Sequence, residues 1–489
     1  MAPIFCDRCG NTVAEECDPL DELAQLDALL ERLTLKHYDL KRKINRFHSP
    51  IVRQLPPDVT STIFEFCLPD FEDLQSSPSR VDSSVPLILG AICSYWREIA
   101  WSTPSLWSSL TVHVSGNDSH TTIVKQWLAR SGQLPLSISI YSASNRHQVS
   151  ALADIINQYS TRWSQLYLRM PQCFHQFFHA IDNHAPILKS IRFDCLYSGS
   201  GEKFQLTCPR LERADLSWFR VNGTNILWDN LTHLNLSSIS CKDSFLILHR
   251  TPRLVFCIIS WVAFRADLII PVMLPSLRSL HLVATDIKEW FNNLVTPRLE
   301  ELSLLGHPAL IMENLNHFKG FTLRYFSVIF SVPAFIYLEC FINPLQLMPF
   351  LRTVSITSLD AQNILQLVAK VLTSQNTILQ EPFLPDLEVL EYSGPVQYPE
   401  NPYPLPSSDN AVHGPLRLLK LNLEPKFTRI PKNFIPYFLS LAERGVTVNV
   451  LSGSEDILQS SMDYYRGREE SLSPDWADNL DLGLMQGLC

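Results

Sequence analysis

The sequence predicts an α/β protein. A coiled-coil-like N-terminal helix and a small helical module come first, followed by a long, irregular α/β solenoid whose strands share a parallel sheet. Three observations carry this prediction. Apolar residues from Leu23 to Phe47 recur at alternating intervals of three and four. Short apolar stretches bracketed by prolines lie between Leu55 and Trp107. From Trp163 onward an L-x-x-L-x-L-like core returns ten times: WSQLYL, LKSIRF, LERADL, LTHLNL, LRSLHL, LEELSL, LRYFSV, LRTVSI, LEVLEY and LRLLKL.

Composition limits what the chain does. Its 489 residues suffice for several domains or one elongated repeat domain. The net charge of -9 argues against a nucleic-acid partner, because phosphate binding needs clustered Lys and Arg to displace counterions. The opening MAPIFCDRCGNTVAEECDPL has no basic stretch followed by a long apolar run, so no secretory leader is expected. Twelve cysteines, scattered through expected strands and helices, suit reduced thiols in the cytoplasm or nucleus better than a disulfide framework. The most apolar stretch, YFSVIFSVPAFIYLECFINPLQLMPF, is broken by Pro333, Glu339, Pro344 and Pro349. It reads as buried strand and helix, and no membrane association is expected.

Residues 1–19 contain Cys6-x-x-Cys9-Gly10, which could supply half of a tetrahedral zinc site, with Cys17 and His37 the nearest further ligands. A lone C-x-x-C is a weak signal, so Cys6 and Cys9 are read as exposed thiols and no metal is assigned. Residues 20–48 form the heptad helix. Leu23, Leu26, Leu30, Leu33, His37, Leu40, Ile44 and Phe47 make an a/d seam flanked by charged residues. Such a seam packs on its own protein or joins two chains as a homodimer through residues 20–48. The helix should stop near Ser49-Pro50, since the residue before proline leaves the α region.

Residues 49–110 form the helical module. Leu55-Pro56-Pro57-Asp58 reads as a turn into a helix, with a carboxylate suited to the helix N-terminus. Val59, Ile63, Phe64 and Cys67 then give that helix a sticky face. Beyond a polar loop from Asp70 to Val85, one helix is expected from Leu87 to Trp101, with Leu89, Ile92, Cys93, Trp96, Ile99 and Ala100 apolar.

Residues 111–451 hold the repeats. Leu106 to Val114 is the entry strand, and TIVKQWLARSGQLPLSISIY reads as helix, Gly132 cap and alternating strand. HQVSALADIINQYSTRWSQLYL repeats helix then strand. Later cores are introduced by similar words, as in CPRLERADL, LPSLRSLHL, TPRLEELSL and LPDLEVLEY. In each, L-x-L is period-two burial on a short strand, and the preceding leucine packs from the incoming turn. One repeat cannot bury that face alone, so neighbours stack. Residues alternating with the leucines should face the concave side: Tyr167, Arg192, Asp215, Asn235, His281, Ser303, Ser355, Glu391 and Lys420. This row is mixed in sign and size and suits a protein target. Residues 452–489 are acidic, lack the repeat and read as a flexible tail, with a fold-back of Tyr464 to Trp476 as the alternative.

The segment from Leu20 to Trp107 resembles an F-box, similar to the F-box-like proteins abundant in mushroom-forming fungi. The elements Leu55-Pro56, Asp58-Val59, Ile63-Phe64, Ile92-Cys93, Trp96-Arg97, Ile99-Ala100, Pro104 and Leu106-Trp107 occur together and in order. The repeats resemble leucine-rich repeats, although the Asn or Cys that would follow the last leucine is replaced by Phe219, Ile239, Thr285 and His307. The resemblance implies a non-catalytic substrate-recognition subunit of a cullin-RING (SCF-type) ubiquitin ligase. It implies docking of a Skp-type adaptor through Leu55, Pro56, Ile63 and Phe64, with Val59, Ile92, Cys93, Trp96, Ile99 and Trp107 forming the core of the module. The repeats would hold an unidentified substrate protein, and no cofactor is implied. The other reading is an interaction scaffold that self-associates through the heptad helix without ubiquitin chemistry.

Catalytic signatures give no competing reading. Phosphate-loop, G-x-S-x-G, H-E-x-x-H and dinucleotide patterns do not occur. His175 and His179 stand at i, i+4 in CFHQFFHAIDNHAP and would share a helix face, but Phe174, Phe177 and Phe178 beside them mark a buried face. They are read as structural histidines.

Overall fold

The structure is a computed structural model that describes residues 18–48, 55–69, 84–114, 120–143, 146–196, 204–221, 224–260, 270–283, 287–315, 322–331, 339–373, 383–403, 416–423 and 429–471. It is an α/β protein with a large, mostly parallel sheet. The chain divides into two compact units, Met1–Leu166 and Tyr167–Cys489. The N-terminal cysteine segment, Thr285, the loop at 70–83 and residues 472–489 lie outside the described residues. Among the described residues, no helix is long and apolar enough to cross a membrane.

In the first unit, α1 (Asp18–His48) stops just before Ser49-Pro50, as proline sterics require. Helix α2 (Pro57–Phe66) starts on Pro57, in the first turn where the missing N–H costs nothing, with Asp58 beside it. The single helix expected from Leu87 to Trp101 is instead a pair, α3 (Val85–Ile92) and α4 (Ser94–Ser102). The break has a local cause. Cys93 is fully extended at φ -156 and ψ 167, and its Sγ accepts the Trp96 N–H at 3.4 Å, acting as the N-cap of α4. Arg97 Nε then donates to the Gly90 carbonyl at 2.8 Å and ties the two helices together.

A 3-10 turn, Pro104–Trp107, leads into β1 (Ser109–His113). Strand β1 pairs in parallel with β2 (Leu136–Tyr141) across the helix His120–Arg130 and Gly132, whose φ of +58 suits a glycine at a helix end. The helix Arg146–Asn157 follows and leads to β3 (Trp163–Met170). Trp107 anchors this part of the core: it is fully buried, its Nε1 donates to Ala100 O at 2.7 Å, and its ring meets Trp127 edge-on at 4.7 Å.

The second unit repeats one device. Its strands are β4 (Ser190–Cys195), β5 (Phe204–Leu206), β6 (Arg213–Ser217), β7 (Thr224–Ile226), β8 (His233–Ser237), β9 (Phe256–Ser260), β10 (Val272–Met273), β11 (Ser279–Val283), β12 (Leu294–Val295), β13 (Glu301–Gly306), β14 (Tyr325–Phe330), β15 (Thr353–Thr357), β16 (Val389–Ser393), β17 (Leu418–Asn422), β18 (Thr447–Ser452) and β19 (Glu455–Asp456). The sheet runs in the order β4-β6-β8-β9-β11-β13-β14-β15-β16-β17-β18-β19, while β5-β7 and β10-β12 are separate parallel pairs. All neighbours in the large sheet are parallel except β18 and β19.

The introductory words fold into β-turns. Leu211 N–H donates to Cys208 O, Leu254 to Thr251, Leu277 to Leu274, Leu299 to Thr296, Leu351 to Met348 and Leu387 to Leu384. In each turn a proline follows the acceptor, where its fixed φ favours the bend. Each turn drops its leucine into the core; Leu211, Leu254, Leu277, Leu299, Leu351 and Leu387 are all buried. The residue after that leucine offers its carbonyl to two successive N–H groups of the next repeat. Glu212 O accepts from Thr232 and His233, Arg278 O from Glu300 and Glu301, and Arg352 O from Glu388 and Val389. This doubled acceptor sets the register of the strand that follows each of these turns.

Two buried columns run across the sheet. One includes Leu234, Cys257, Leu280, Leu302 and Phe326, the other Leu236, Ile259, Leu282, Leu304 and Val328. Each such side chain contributes roughly 1.5–3 kcal/mol by burial. Where the repeat departs from leucine, a specific bond replaces it. Buried Tyr392 donates its hydroxyl to Pro395 O at 2.6 Å, and Gly394, at φ +139, occupies a place where a Cβ would overlap Ser358 O.

The flexible tail expected at residues 452–489 is corrected by the structure over residues 452–471. Strand β19 pairs antiparallel with β18, and the helix Ile457–Ser471 packs back. Ile457 and Ser461 are buried, Ser461 Oγ accepts the Ile430 N–H at 2.9 Å, and Arg429 lies over the Tyr464 ring at 3.5 Å. A parallel sheet ends in an open row of backbone donors and acceptors, and covering it suppresses edge-to-edge pairing.

Candidate functional site

Two surfaces stand out, one in each unit. In the first unit, α2 turns a different face inward from the one expected. Thr60 and Phe64, four residues apart, are buried: Thr60 Oγ1 donates to Pro56 O at 3.1 Å and Phe64 meets the Trp96 ring at 4.9 Å. Phe64, expected on the adaptor face, is therefore core. Val59, expected in the core, is 41 % exposed and aligns with Ile63 at 44 % and Phe66 at 87 %. Positions 59, 63 and 66 make a helical stripe. Leu55 is half-buried and Pro56 exposed at the entry to α2.

Ile92, also expected inside, is exposed together with Leu87 and Ile88 on α3, because Pro86, Leu89 and Gly90 take the inward positions. Cys93 and Trp96 are half-buried, while Ile99 and Trp107 are buried as expected. Electrostatics hold the rim: Arg130 lies over Trp101 at 4.9 Å and over Trp107 at 4.8 Å, and Ser105 Oγ donates to Glu65 Oε1.

In the second unit, eight of the nine expected face residues fall in one register row. Arg192, Asp215, Asn235, Ile258, His281, Ser303, Ser327, Ser355, Glu391, Lys420 and Asn449 stand side by side on consecutive strands. Sequence reasoning missed Ile258, Ser327 and Asn449: in VFCIIS and YFSVIF apolar residues fall on both faces of the strand and hide the alternation, and β18 follows no L-x-x-L-x-L core. The available signal is the turn leucine itself: Ile258 and Ser327 stand four residues after the buried Leu254 and Leu323, the same interval as from Leu211 to Asp215.

Tyr167 is the exception. It is 1 % exposed, with the Arg192 guanidinium 4.9 Å from its ring. Its neighbours Leu166 and Leu168 are buried too, as happens where a strand is covered on both faces.

The row beside it carries an aromatic cluster. Phe256 sits between the imidazoles of His233 at 5.8 Å and His281 at 5.1 Å. Burial lowers both imidazoles below their ordinary value. Arg213 pushes His233 further down, while Glu212 and Glu301 partly offset the effect at His233 and His281 respectively. Both rings are accordingly neutral at pH 7. On the same face, Lys420 approaches Glu391 at 3.9 Å.

His175 and His179 do not share an α-helix. His175 is buried in a 3-10 turn, Gln172–Phe177, and His179 lies exposed beyond its end. His175 lies among Phe193, Phe204 and Phe219 at 4.8, 6.2 and 6.4 Å, with neither ring nitrogen hydrogen-bonded. Burial lowers its pKa to about 3. Phe219 and Ile239 are buried apolar residues where an asparagine ladder would run. Burial raises the Cys208 and Cys257 thiols to about 12, which keeps them protonated. Among the described residues, no group of three or more His, Cys, Asp or Glu side chains could hold a metal ion; Cys6 and Cys9 lie outside them.

Comparison of the chain with protein-family models and with curated proteins finds no match.

Proposed function

We propose that this protein is the non-catalytic substrate receptor of an SCF-type ubiquitin ligase. Its small helical module would be an F-box-like plug for a Skp-type adaptor, and its repeats a leucine-rich-repeat-like solenoid that displays a target. One observation carries the reading: Val59, Ile63 and Phe66 on α2, with Leu87, Ile88 and Ile92 on α3, leave a small folded module unusually apolar on the outside. Such a surface is worth keeping only if something covers it. Leu55 and Pro56 lead into the same stripe. The row from Arg192 to Lys420, with Phe256 between two neutral imidazoles, offers a mixed surface with an aromatic anchor, as protein recognition requires. Holding a target near a charged ubiquitin carrier supplies proximity rather than chemistry.

The test is binding of the purified full chain to a Skp-type adaptor. Ile63→Asp, on the exposed stripe, should weaken binding about tenfold or more with an unchanged thermal midpoint. A wild-type chain that ignores the adaptor, or a variant that binds as well as wild type, overturns the reading. An interaction scaffold without ubiquitin chemistry is the second reading. It is favoured by the uncovered α1 seam and survives if the adaptor does not bind.

A further inference from the structure

Helix α1 is a seam without a partner among the described residues. Every described side chain from Leu23 to Ile44 is exposed, and the seam residues Leu23, Leu26, Leu30, Leu33, Leu40 and Ile44 are each at least half uncovered. A helix of 31 residues with such a stripe gains little from propensity alone and is stabilised mainly by packing.

The charges say what covers it. Asp18, Asp21, Glu22, Asp27 and Glu31 occupy the stretch Asp18–Glu31 without a Lys or Arg, whereas Arg32, Lys36, Lys41, Arg42, Lys43 and Arg46 follow with Asp39 as the lone acid among them. The helix dipole accounts for such a bias only within the first and last turns, so it leaves Asp27, Glu31 and Lys36 unexplained. Two copies laid antiparallel match acidic half to basic half along their whole length.

With Leu23, Leu30, His37 and Ile44 at a positions and Leu26, Leu33 and Leu40 at d, heptad geometry sharpens the choice. Parallel chains would set Lys36 against Lys41 of the second copy on both sides of the seam and place the two His37 imidazoles in one layer. Antiparallel chains with Leu30 opposite Leu40 set Asp27 against Lys41 of the second copy at both ends and His37 against Leu33. The cost is one central approach of Lys36 to its symmetry mate. Lys43 is meanwhile held by Asp39 within its own helix at 2.9 Å.

We infer that α1 is the interface of an antiparallel homodimer, its occupant a second copy of this chain. The inference stands apart from the ubiquitin reading and adds to it a receptor that carries two plugs and two display surfaces.

The test is sedimentation equilibrium of the full chain. The wild type should dimerise, and Leu30→Asp/Leu33→Asp should be monomeric with the same thermal midpoint, since both side chains are more than half exposed. Asp27→Lys and Lys41→Asp should each weaken dimerisation about tenfold, and an equimolar mixture of the two should recover wild-type affinity, because each mixed pair restores both contacts. A monomeric wild type, a dimer that survives the seam substitutions, a dimer left unchanged or tightened by Asp27→Lys, or a mixture that recovers nothing overturns the inference. None of these outcomes depends on adaptor binding.

Discussion

The strands of the second unit and the helices α2 to α4 both line up apolar residues at regular intervals, but they dispose of them differently. Along β8, β9, β11 and β13 every second side chain is covered by the neighbouring repeats, and the other face is largely polar. On α2 and α3 the inward positions are few, Thr60, Phe64, Pro86, Leu89 and Gly90, and comparably apolar residues remain outside. The lesson is about closure. A stack of repeats completes its own core by adding neighbours, whereas a module of a few short helices cannot and leaves apolar residues uncovered; the proposed adaptor contact rests on that remainder.

The sharpest way to break that comparison is to exchange outcomes between the two regions. Leu304→Ala, in a fully buried column, should cost about 2–5 kcal/mol, and Phe64→Ala about 3–5 kcal/mol, both read from urea midpoints. Substitution at exposed Ile63 should stay within about 0.5 kcal/mol. If Ile63→Asp destabilises as much as Phe64→Ala, the uncovered stripe is core and the contrast fails.

A smaller effect comes from His175. Its folded pKa of about 3 lies below the ordinary 6.5, so the unfolded chain takes up the proton first. Stability contributed by the neutral ring is complete above the unfolded pKa and falls as the pH drops toward the folded one. Between pH 6.5 and about 4 the loss should be roughly 3 kcal/mol. His175→Phe, which suits the surrounding phenyl rings, should flatten that slope; an identical acid dependence in the variant refutes the assignment.

The smallest effect is expected at the Lys420–Glu391 pair, partly exposed and 3.9 Å apart. Lys420→Ala should change stability by about 0–1 kcal/mol. A larger loss in thermal denaturation would show that this face is held together by its charges.

How far the sequence reveals the fold also differs between the two regions. The repeated Pro-x-Leu turns and L-x-L cores state both register and burial, because a two-residue period leaves only two faces and leucine marks one of them. That is why eight expected residues from Arg192 to Lys420 align. On α2, Val59, Ile63, Phe64 and Phe66 are all apolar, so composition does not tell inside from outside, and Phe64 and Val59 trade places. The break at Cys93 depends on a thiol acting as a cap, and Tyr167 is buried because its strand is covered on both sides. The cap after residue 452 rests on Ile457 and Ser461, too few apolar residues to stand out within an acidic segment.

The doubled carbonyl acceptor at each turn has an evolutionary consequence. Strand register is renewed at every repeat, so the chain between strands varies in length without shifting the sheet, from the interval between Arg213 and His233 to that between Thr353 and Val389. Crossover segments are therefore the places where residues can be gained or lost while the row from Arg192 to Asn449 stays aligned.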